Sequence, residues 1–112
     1  MTRVFIYSEE FDKKWFGLNL TDDDLFELET YLLKNPTAGR VIKGTGSIRK
    51  LRWALPNIGK SGGVRALYID LVMRDKIYMV DLFAKNEKDN LTDSERNELK
   101  KLTAQLKDKG AE

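Results

Sequence analysis

The sequence feature that most constrains the fold is the segment of residues 64–73, in which only Arg65 and Asp70 are charged. Near-continuous apolar character over this length predicts a central strand that is covered on both faces of a sheet. Arg74-Asp75-Lys76 predicts a tight turn into a following strand over residues 77–84. Because the connection is so short, these two strands are expected to pair in antiparallel orientation.

Residues 48–54 add a second constraint, because apolar and basic side chains alternate along them. A period of two predicts a strand whose two faces have different surroundings. Leu51 and Trp53 are expected to face the core, which places Lys50 and Arg52 side by side on the opposite face. Residues 56–63 predict the loop that leads into the central strand.

Capping signals predict two helices before these strands and one after them. The predicted helices cover residues 9–16 after Ser8, residues 22–34 after Thr21, and a segment that begins after Thr92 and is closed by Gly110. Their expected core-facing side chains are Phe11, Trp15 and Phe16 in the first, Leu25, Leu28, Tyr31 and Leu32 in the second, and Leu99, Leu102 and Leu106 in the third.

Residues 3–7 predict a first strand, and residues 37–47 predict a glycine-punctuated loop. The element order is therefore β-α-α-β-β-β-α. This order predicts a single α+β domain over residues 1–112, with an antiparallel β-meander, N-terminal helices packed on one face and a short C-terminal helix.

The chain contains no cysteine and no histidine. Disulfides, zinc sites and histidine-based triads are therefore excluded, and any catalysis must use Lys, Arg, Asp, Glu, Tyr, Ser or Thr. No apolar run approaches the roughly 18 residues that span a bilayer, and the N-terminal residues lack the apolar stretch of a signal peptide. We therefore expect a cytoplasmic protein without a membrane partner.

Basic residues are gathered in the middle of the chain. Between Thr30 and Ile69 there are eight Lys or Arg and no Asp or Glu, whereas the rest of the chain carries 12 basic and 18 acidic residues. A positive block on a chain whose formal net charge is only +2 favours a polyanionic partner over a small neutral substrate. Nucleic acid is the expected ligand.

Two other motifs predict little. Gly59-Lys60-Ser61 lacks the earlier glycine of a phosphate-binding loop, since Ala54 stands at that position, and a strand is expected to follow it. The acidic run from Asp22 to Asp24 suits a helix N-terminus, where carboxylates are stabilised by the helix dipole, better than it suits a metal site.

Arg65 and Lys85 strengthen the signal from Lys50 and Arg52. Arg65 begins the central strand and Lys85 ends the next one, so a meander brings these positions within roughly 5–10 Å of the basic strand. Like charges at such distances repel unless an anion lies among them, and RNA phosphate fits. Two alternatives stay open, namely a solvated sheet face and an ion pair between Arg65 and either Asp70 or Asp81.

Three segments resemble the HigB-type toxins of the RelE/ParE superfamily. They are residues 48–53 (IRKLRW), residues 59–68 (GKSGGVRALY) and residues 83–92 (FAKNEKDNLT), and the resemblance extends over residues 3–106 in the same element order. It implies the toxin of a type II toxin–antitoxin system, a mRNA interferase that enters the ribosomal A site and cuts the bound mRNA without a metal or other cofactor, so that translation is inhibited. It also implies a cognate antitoxin protein as partner.

Position by position, the resemblance implies four catalytic candidates. Lys50 and Arg52 match the two basic strand residues around the scissile phosphate, Arg65 matches the arginine that stabilises the transition state, and Lys85 falls in the basic segment at the end of the last strand. Further candidates for RNA contact are Arg49, Lys60, Lys43, Asn86 and Lys88. RelE itself uses a tyrosine near the position of Leu91 and Thr92, and this sequence has none there, so the resemblance identifies no general acid.

The chemistry of RNA cleavage agrees with these residue types. RNA supplies its own nucleophile, the 2′-hydroxyl, so the enzyme orients that group, assists the departure of its proton and stabilises the charge on phosphorus. Arginine stays charged and suits charge stabilisation, whereas lysine can act as a base where neighbouring cations disfavour its charged form. We therefore expect Lys50 to assist the 2′-hydroxyl while Arg52 and Arg65 hold the phosphate, leaving a 2′,3′-cyclic phosphate.

Two other functions stay open at this point. One is a ParE-like toxin of the same fold that blocks a protein target such as DNA gyrase. The other is a non-catalytic RNA-binding module, whose binding would weaken with salt and which would leave RNA intact even with ribosomes present.

Overall fold

In a computed structural model, five strands form one sheet with the order β1-β5-β4-β3-β2. The structure describes residues 4–55, 63–71, 75–84 and 90–110, with side chains described as far as residue 107. The strands are β1 (Val4–Tyr7), β2 (Arg40–Val41), β3 (Arg49–Trp53), β4 (Val64–Leu71) and β5 (Lys76–Ala84). The helices are α1 (Glu9–Gly17), α2 (Asp22–Lys34) and α3 (Asp93–Gly110).

The predicted meander is confirmed, since β3, β4 and β5 pair as antiparallel neighbours. β4 lies at the centre of the sheet, and its residues from Val64 to Ile69 are all buried, as the apolar run predicts for a strand covered on both faces. The register between β4 and β5 shifts at Leu67 and Tyr68, where β5 contributes one extra residue.

One strand is added at each edge of the meander. β1 pairs in parallel with β5, with Val4 opposite Lys76, so the sheet is mixed at this edge. At the other edge, β2 pairs antiparallel with β3 inside the segment that was predicted to be a loop. β2 has only two residues, which is too few for the alternation of a strand to be visible in the sequence.

The two N-terminal helices begin at the predicted caps. The Ser8 hydroxyl accepts a hydrogen bond from the Phe11 N–H at 3.0 Å, and Thr21 and Asp24 form a reciprocal capping box at the start of α2. Phe11 is buried, but Phe16 is 60% exposed, so its expected place in the core is wrong. Successive residues of a helix point about 100° apart, which turns Phe16 away from the buried stripe.

The sheet separates two hydrophobic cores, because side chains alternate between its faces. On the face under α1 and α2, called here the helix-pair face, the core contains Phe11, Trp15, Leu28, Leu32, Leu51, Leu55, Val64, Ala66, Tyr68, Ile77, Met79 and Leu82. On the opposite face, called here the α3 face, it contains Ile48, Leu67, Ile69, Val80 and Phe83, against which Leu99, Leu102 and Leu106 pack.

The sequence predicted a short C-terminal helix, and this prediction is wrong, because α3 has 18 residues. Its start is fixed by Thr92, whose hydroxyl accepts from the Glu95 N–H at 3.1 Å while the Glu95 carboxylate accepts from the Thr92 N–H at 2.9 Å. Its leucine stripe then stays on the α3 face, so that tertiary contact supports the full length. None of the described helices is long and apolar enough to cross a membrane.

Candidate nucleic-acid interface

The alternation along β3 divides its side chains between the two faces as predicted. Leu51 is buried in the core of the helix-pair face, and Trp53 packs against the same core with its ring 5.2 Å from that of Tyr31. Lys50 and Arg52 therefore project from the α3 face, where Lys50 is half-buried and Arg52 is exposed.

Arg65 projects from the same face as Lys50 and Arg52, because its backbone lies directly opposite Arg52 in the register between β3 and β4. Residues opposite each other on neighbouring strands project from the same face with Cβ atoms roughly 5 Å apart. Lys50 and Arg52 are two residues apart on β3, or roughly 6.6 Å. Lys50, Arg52 and Arg65 are called here the cation cluster.

Arg65 is buried, with 5% of its surface exposed. Its guanidinium Nη1 lies 3.5 Å from the Val64 carbonyl oxygen, at the limit of a hydrogen bond. Burying a permanently charged guanidinium costs free energy unless hydrogen-bond acceptors or anions surround it. Arg52, opposite it on the neighbouring strand, is exposed and can meet an anion that approaches from solvent.

The two carboxylates considered as ion-pair partners of Arg65 have different surroundings. The Asp81 carboxylate pairs with Lys14 of α1, with 2.7 Å between Oδ1 and Nζ, and also accepts from the Leu82 N–H. Asp70 is five residues further along β4, so alternation places it on the helix-pair face.

Arg40 was not among the predicted site residues, and the structure brings it to the cluster. It lies on β2 directly opposite Lys50, and therefore on the α3 face. Its charge had been counted in the basic block, but the segment around it was predicted to be a loop, which gives no register. A signal in the sequence is Gly39, which precedes Arg40 and lies too close to the Tyr68 ring and the Lys50 backbone to carry a side chain.

Arg49 lies on the other face of β3. Its guanidinium Nη1 donates to the carbonyl of Gly39 at 2.7 Å and to that of Thr37 at 3.3 Å. Those bonds hold the segment before β2 against the sheet. The structure therefore separates Arg49, which was predicted as a further RNA contact, from the cation cluster.

Lys43 is exposed in the turn between β2 and β3. In that turn the Thr45 hydroxyl donates to the Ile42 carbonyl at 2.7 Å and accepts from the Ile48 N–H at 3.2 Å, which fixes the connection. The remaining candidates, Lys60, Lys85, Asn86 and Lys88, lie outside the described residues.

None of the three residues of the cation cluster lines the cavity of about 290 Å³ between α1 and the end of β5. That cavity is lined by Lys13, Lys14, Gly17, Leu18, Leu82 and Phe83. Within the described parts of the chain, no group of three or more Asp or Glu could hold a metal ion. A row of cations on an open strand face suits the backbone of a polymer better than it suits an enclosed small molecule.

Two comparisons with known proteins identify the family and the fold. A family model described as the RelE toxin of the RelE/RelB toxin–antitoxin system matches residues 3–112. The fold is similar to the structure of E. coli toxin RelE in the free state, as a mutant with two arginines replaced by alanine. The TM-score is 0.52 at 17% sequence identity, and the match covers 73% of this chain and 82% of that chain. At this identity the structural likeness shows the fold alone.

Proposed function

Since this chain belongs to the RelE toxin family, we propose that it is a ribosome-dependent mRNA endonuclease that inhibits translation. As a toxin of a toxin–antitoxin system, it has an antitoxin as partner. The proposed substrate is mRNA in the ribosomal A site, cut without a metal ion. The assignment to the HigB type within the family is part of the same proposal.

The observation that carries the proposal is the cross-strand pair of Arg52 and Arg65 with Lys50 two residues away on the same face. Like charges directly opposite each other on neighbouring strands destabilise a sheet. A phosphate between them would turn this repulsion into attraction. Arginine suits this role because its fork of N–H donors matches the oxygens of a phosphate.

Each member of the cluster then has a role in the transfer. Lys50 takes the proton of the 2′-hydroxyl as its oxygen attacks the adjacent phosphorus, while Arg52 and Arg65 stabilise the extra negative charge on the phosphate oxygens. The bond from phosphorus to the 5′-oxygen breaks, that oxygen takes a proton from solvent water to leave as a 5′-hydroxyl, and Lys50 returns its proton to solvent. The products are a 2′,3′-cyclic phosphate and the downstream RNA. Lys85 is proposed to contact the same phosphate.

Dependence on the ribosome is supported by the openness of this surface. Arg52 is exposed, and the described part of the cluster lies on a strand face outside the described cavity. In-line attack needs the 2′-hydroxyl, phosphorus and leaving oxygen held close to one line. Of the three members of the cation cluster only Arg52 is exposed, and a single exposed cation holds a flexible strand weakly, so we propose that the ribosome supplies the missing constraint.

The test is a translation reaction with purified protein in which the 5′ ends of the mRNA are mapped, with and without ribosomes, and with EDTA in the ribosome-free arm. We expect cuts only on mRNA bound to ribosomes, and we expect them to fall at least about 100-fold in Arg65→Ala. Lys100→Ala, which removes an exposed lysine of α3, is the matched control and should cut as the wild type does.

Because Arg65 is buried, its replacement could also disturb folding. Arg52→Ala, at an exposed position, supplies a second variant, and circular dichroism of both variants reports the folded fraction. Intact mRNA in every wild-type arm would refute the endonuclease. RNA binding without cleavage would favour a binding module, and growth inhibition with intact mRNA would favour a toxin that blocks a protein.

A further inference from the structure

We propose that Arg40 is a further substrate-binding cation, and that Tyr68 and Arg49 position it from the opposite side of the sheet. This inference rests on the endonuclease function proposed above. It assigns Arg40 to the binding of an RNA phosphate next to the scissile one, and it gives Arg49 a positioning role in place of direct contact with RNA.

The register of the edge strand provides the first step. Arg40 lies opposite Lys50, and Arg52 lies opposite Arg65, so β3 carries two basic residues on one face that each meet a cation on a neighbouring strand. Neighbouring strands are about 4.8 Å apart, and alternate residues of one strand are roughly 6.6 Å apart. The four cations thus lie over three strands, with Arg40 at the outer edge.

Placing Arg40 beside Lys50 costs electrostatic energy, so something must hold it there. β2 has only two residues, and a ladder of that length is not stable by itself. Gly39, immediately before Arg40, is held at both of its backbone polar groups. Its N–H donates to the Tyr68 hydroxyl at 3.0 Å, and its carbonyl accepts from Arg49 Nη1 at 2.7 Å.

Tyr68 connects this segment to the centre of the sheet. Its side chain is fully buried, and its hydroxyl also donates to the Pro36 carbonyl at 2.8 Å. Burial raises the pKa of Tyr68 above its ordinary value, which keeps the hydroxyl available as a donor. Tyr68 and Arg49 are cross-strand partners, and together they are called here the edge clamp.

The identity of residue 39 shows how closely the edge clamp holds the chain. A Cβ atom at Gly39 would lie 2.9 Å from Tyr68 Cε1 and 3.1 Å from the backbone carbon and oxygen of Lys50. Only glycine lets the segment approach both the tyrosine ring and β3 at this distance. The backbone of Arg40 is therefore fixed relative to Lys50 with little freedom.

These contacts predict an effect on binding of substrate and not on the chemical step. Arg40 is one strand beyond Lys50 and two strands beyond Arg65, so it reaches a phosphate that flanks the reacting one. A contact made equally in the bound substrate and in the transition state changes the half-saturating concentration and leaves the maximal rate unchanged.

The test is single-turnover cleavage of mRNA on programmed ribosomes, with the toxin in excess at a series of concentrations. For Arg40→Ala we expect the half-saturating concentration to rise about tenfold, as for the loss of one charge-assisted hydrogen bond, while the maximal rate stays within about twofold. The slope of log affinity against log salt should fall by about 0.7, the value for one phosphate contact on a single strand. Arg40→Lys should recover most of the affinity, and Lys34→Ala, at an exposed position of α2, is the matched control.

The edge clamp is tested by a double-mutant cycle. If Tyr68→Phe acts through Arg40, it raises the half-saturating concentration in the wild type but has no further effect in Arg40→Ala. Arg49→Gln, which keeps much of the length and loses the guanidinium, should behave in the same way and serves if Tyr68→Phe folds poorly. Effects of Arg49→Gln that add fully to those of Arg40→Ala would mean that Arg49 contacts RNA itself, which contradicts the clamp.

The outcomes separate this inference from the function on which it rests. A wild-type protein that leaves mRNA intact on ribosomes overturns the endonuclease. A wild-type protein that cuts, with Arg40→Ala indistinguishable from it in half-saturating concentration and salt slope, overturns the role of Arg40 alone.

Discussion

The helix-pair face and the α3 face are formed by alternate residues of the same strands, yet they differ in both packing and charge. On β3, Leu51 and Trp53 pack into a core that two helices cover, whereas Lys50 and Arg52 share the other face with a smaller core under a single helix. Lys50 and Arg52 each have another cation opposite them, in Arg40 and Arg65, while Leu51 and Trp53 have apolar partners in Ala66 and Val64.

This difference separates stability from function within one strand. The helix-pair face gains free energy from buried apolar surface, at roughly 25 cal/mol for each Å². The α3 face carries like charges in adjacent positions, which repel one another and which, in the proposed function, bind the phosphate. Changes on the two faces should therefore affect different measurements.

The largest expected effect follows the substitution Lys50→Arg on the α3 face. It keeps a positive charge opposite Arg40, but arginine does not give up its proton and so cannot assist the 2′-hydroxyl. The maximal cleavage rate on ribosomes should fall about 10³-fold, within the range for loss of a general base, while the half-saturating concentration changes little. Lys50→Arg with a wild-type rate would show that charge alone is required at this position.

The next largest effect is expected on the helix-pair face, where Leu28 of α2 is fully buried. Leu28→Ala should lower the free energy of unfolding by about 3 kcal/mol, because it removes apolar contact and leaves a cavity. Chemical denaturation measures the change, and Leu33→Ala, on the same helix but 39% exposed, is the matched control with an expected loss below about 1 kcal/mol.

The two variants together test the separation of the faces. The maximal cleavage rate per folded molecule should be unchanged in Leu28→Ala, and the free energy of unfolding should be unchanged in Lys50→Arg. If Leu28→Ala lowered the maximal rate of the folded fraction as strongly as Lys50→Arg does, the idea that the faces act separately would fail.

A smaller effect is expected at the start of α3, the element that covers the apolar part of the α3 face. Thr92→Ala removes the hydroxyl that caps the helix, and should lower the free energy of unfolding by about 1 kcal/mol. Thr92→Ser keeps the hydroxyl and should lose only a fraction of that. Equal losses in both variants would mean that the methyl group of Thr92, and not its cap, stabilises the helix.

Local signals predicted most of the fold. The caps at Ser8, Thr21 and Thr92 and the apolar run of β4 depend on neighbours in sequence, so they were visible without a structure. The edge strand β2 was not, because Gly39 and Arg40 are held by Tyr68, 29 residues away from Gly39. Tertiary contacts of this kind have no periodicity to reveal them.

The same reason explains which parts of the candidate site could be predicted. Alternation along β3 gives the face of Lys50 and Arg52, and the meander brings Arg65 beside Arg52. The position of Arg40 required the register of β2, and the bonds of Arg49 to the Thr37 and Gly39 carbonyls required the path of the loop. The burial of Arg65 also followed from packing, which the sequence pattern does not encode.

The smallest expected effect concerns Tyr7, a half-buried residue on the helix-pair face whose hydroxyl donates to the Glu29 carboxylate. Burial raises the pKa of Tyr7 well above its ordinary value, and the hydrogen bond to Glu29 and the carboxylate charge raise it further. The folded protein therefore keeps this proton above about pH 10, where the unfolded chain loses it. Stability contributed by Tyr7 is complete below that pH and declines as pH rises beyond it.

Tyr7→Phe tests whether the stability contributed by Tyr7 declines as pH rises. Near neutral pH, the wild type should exceed Tyr7→Phe in free energy of unfolding by about 1 kcal/mol, the value of one hydrogen bond, and this advantage should shrink as pH is raised from about 9 to about 11. Glu29→Gln removes the charge but leaves the burial, so its alkaline decline should be shallower than that of the wild type. An advantage over Tyr7→Phe that stays constant up to about pH 11 would show that Tyr7 ionises equally in the folded and unfolded chains.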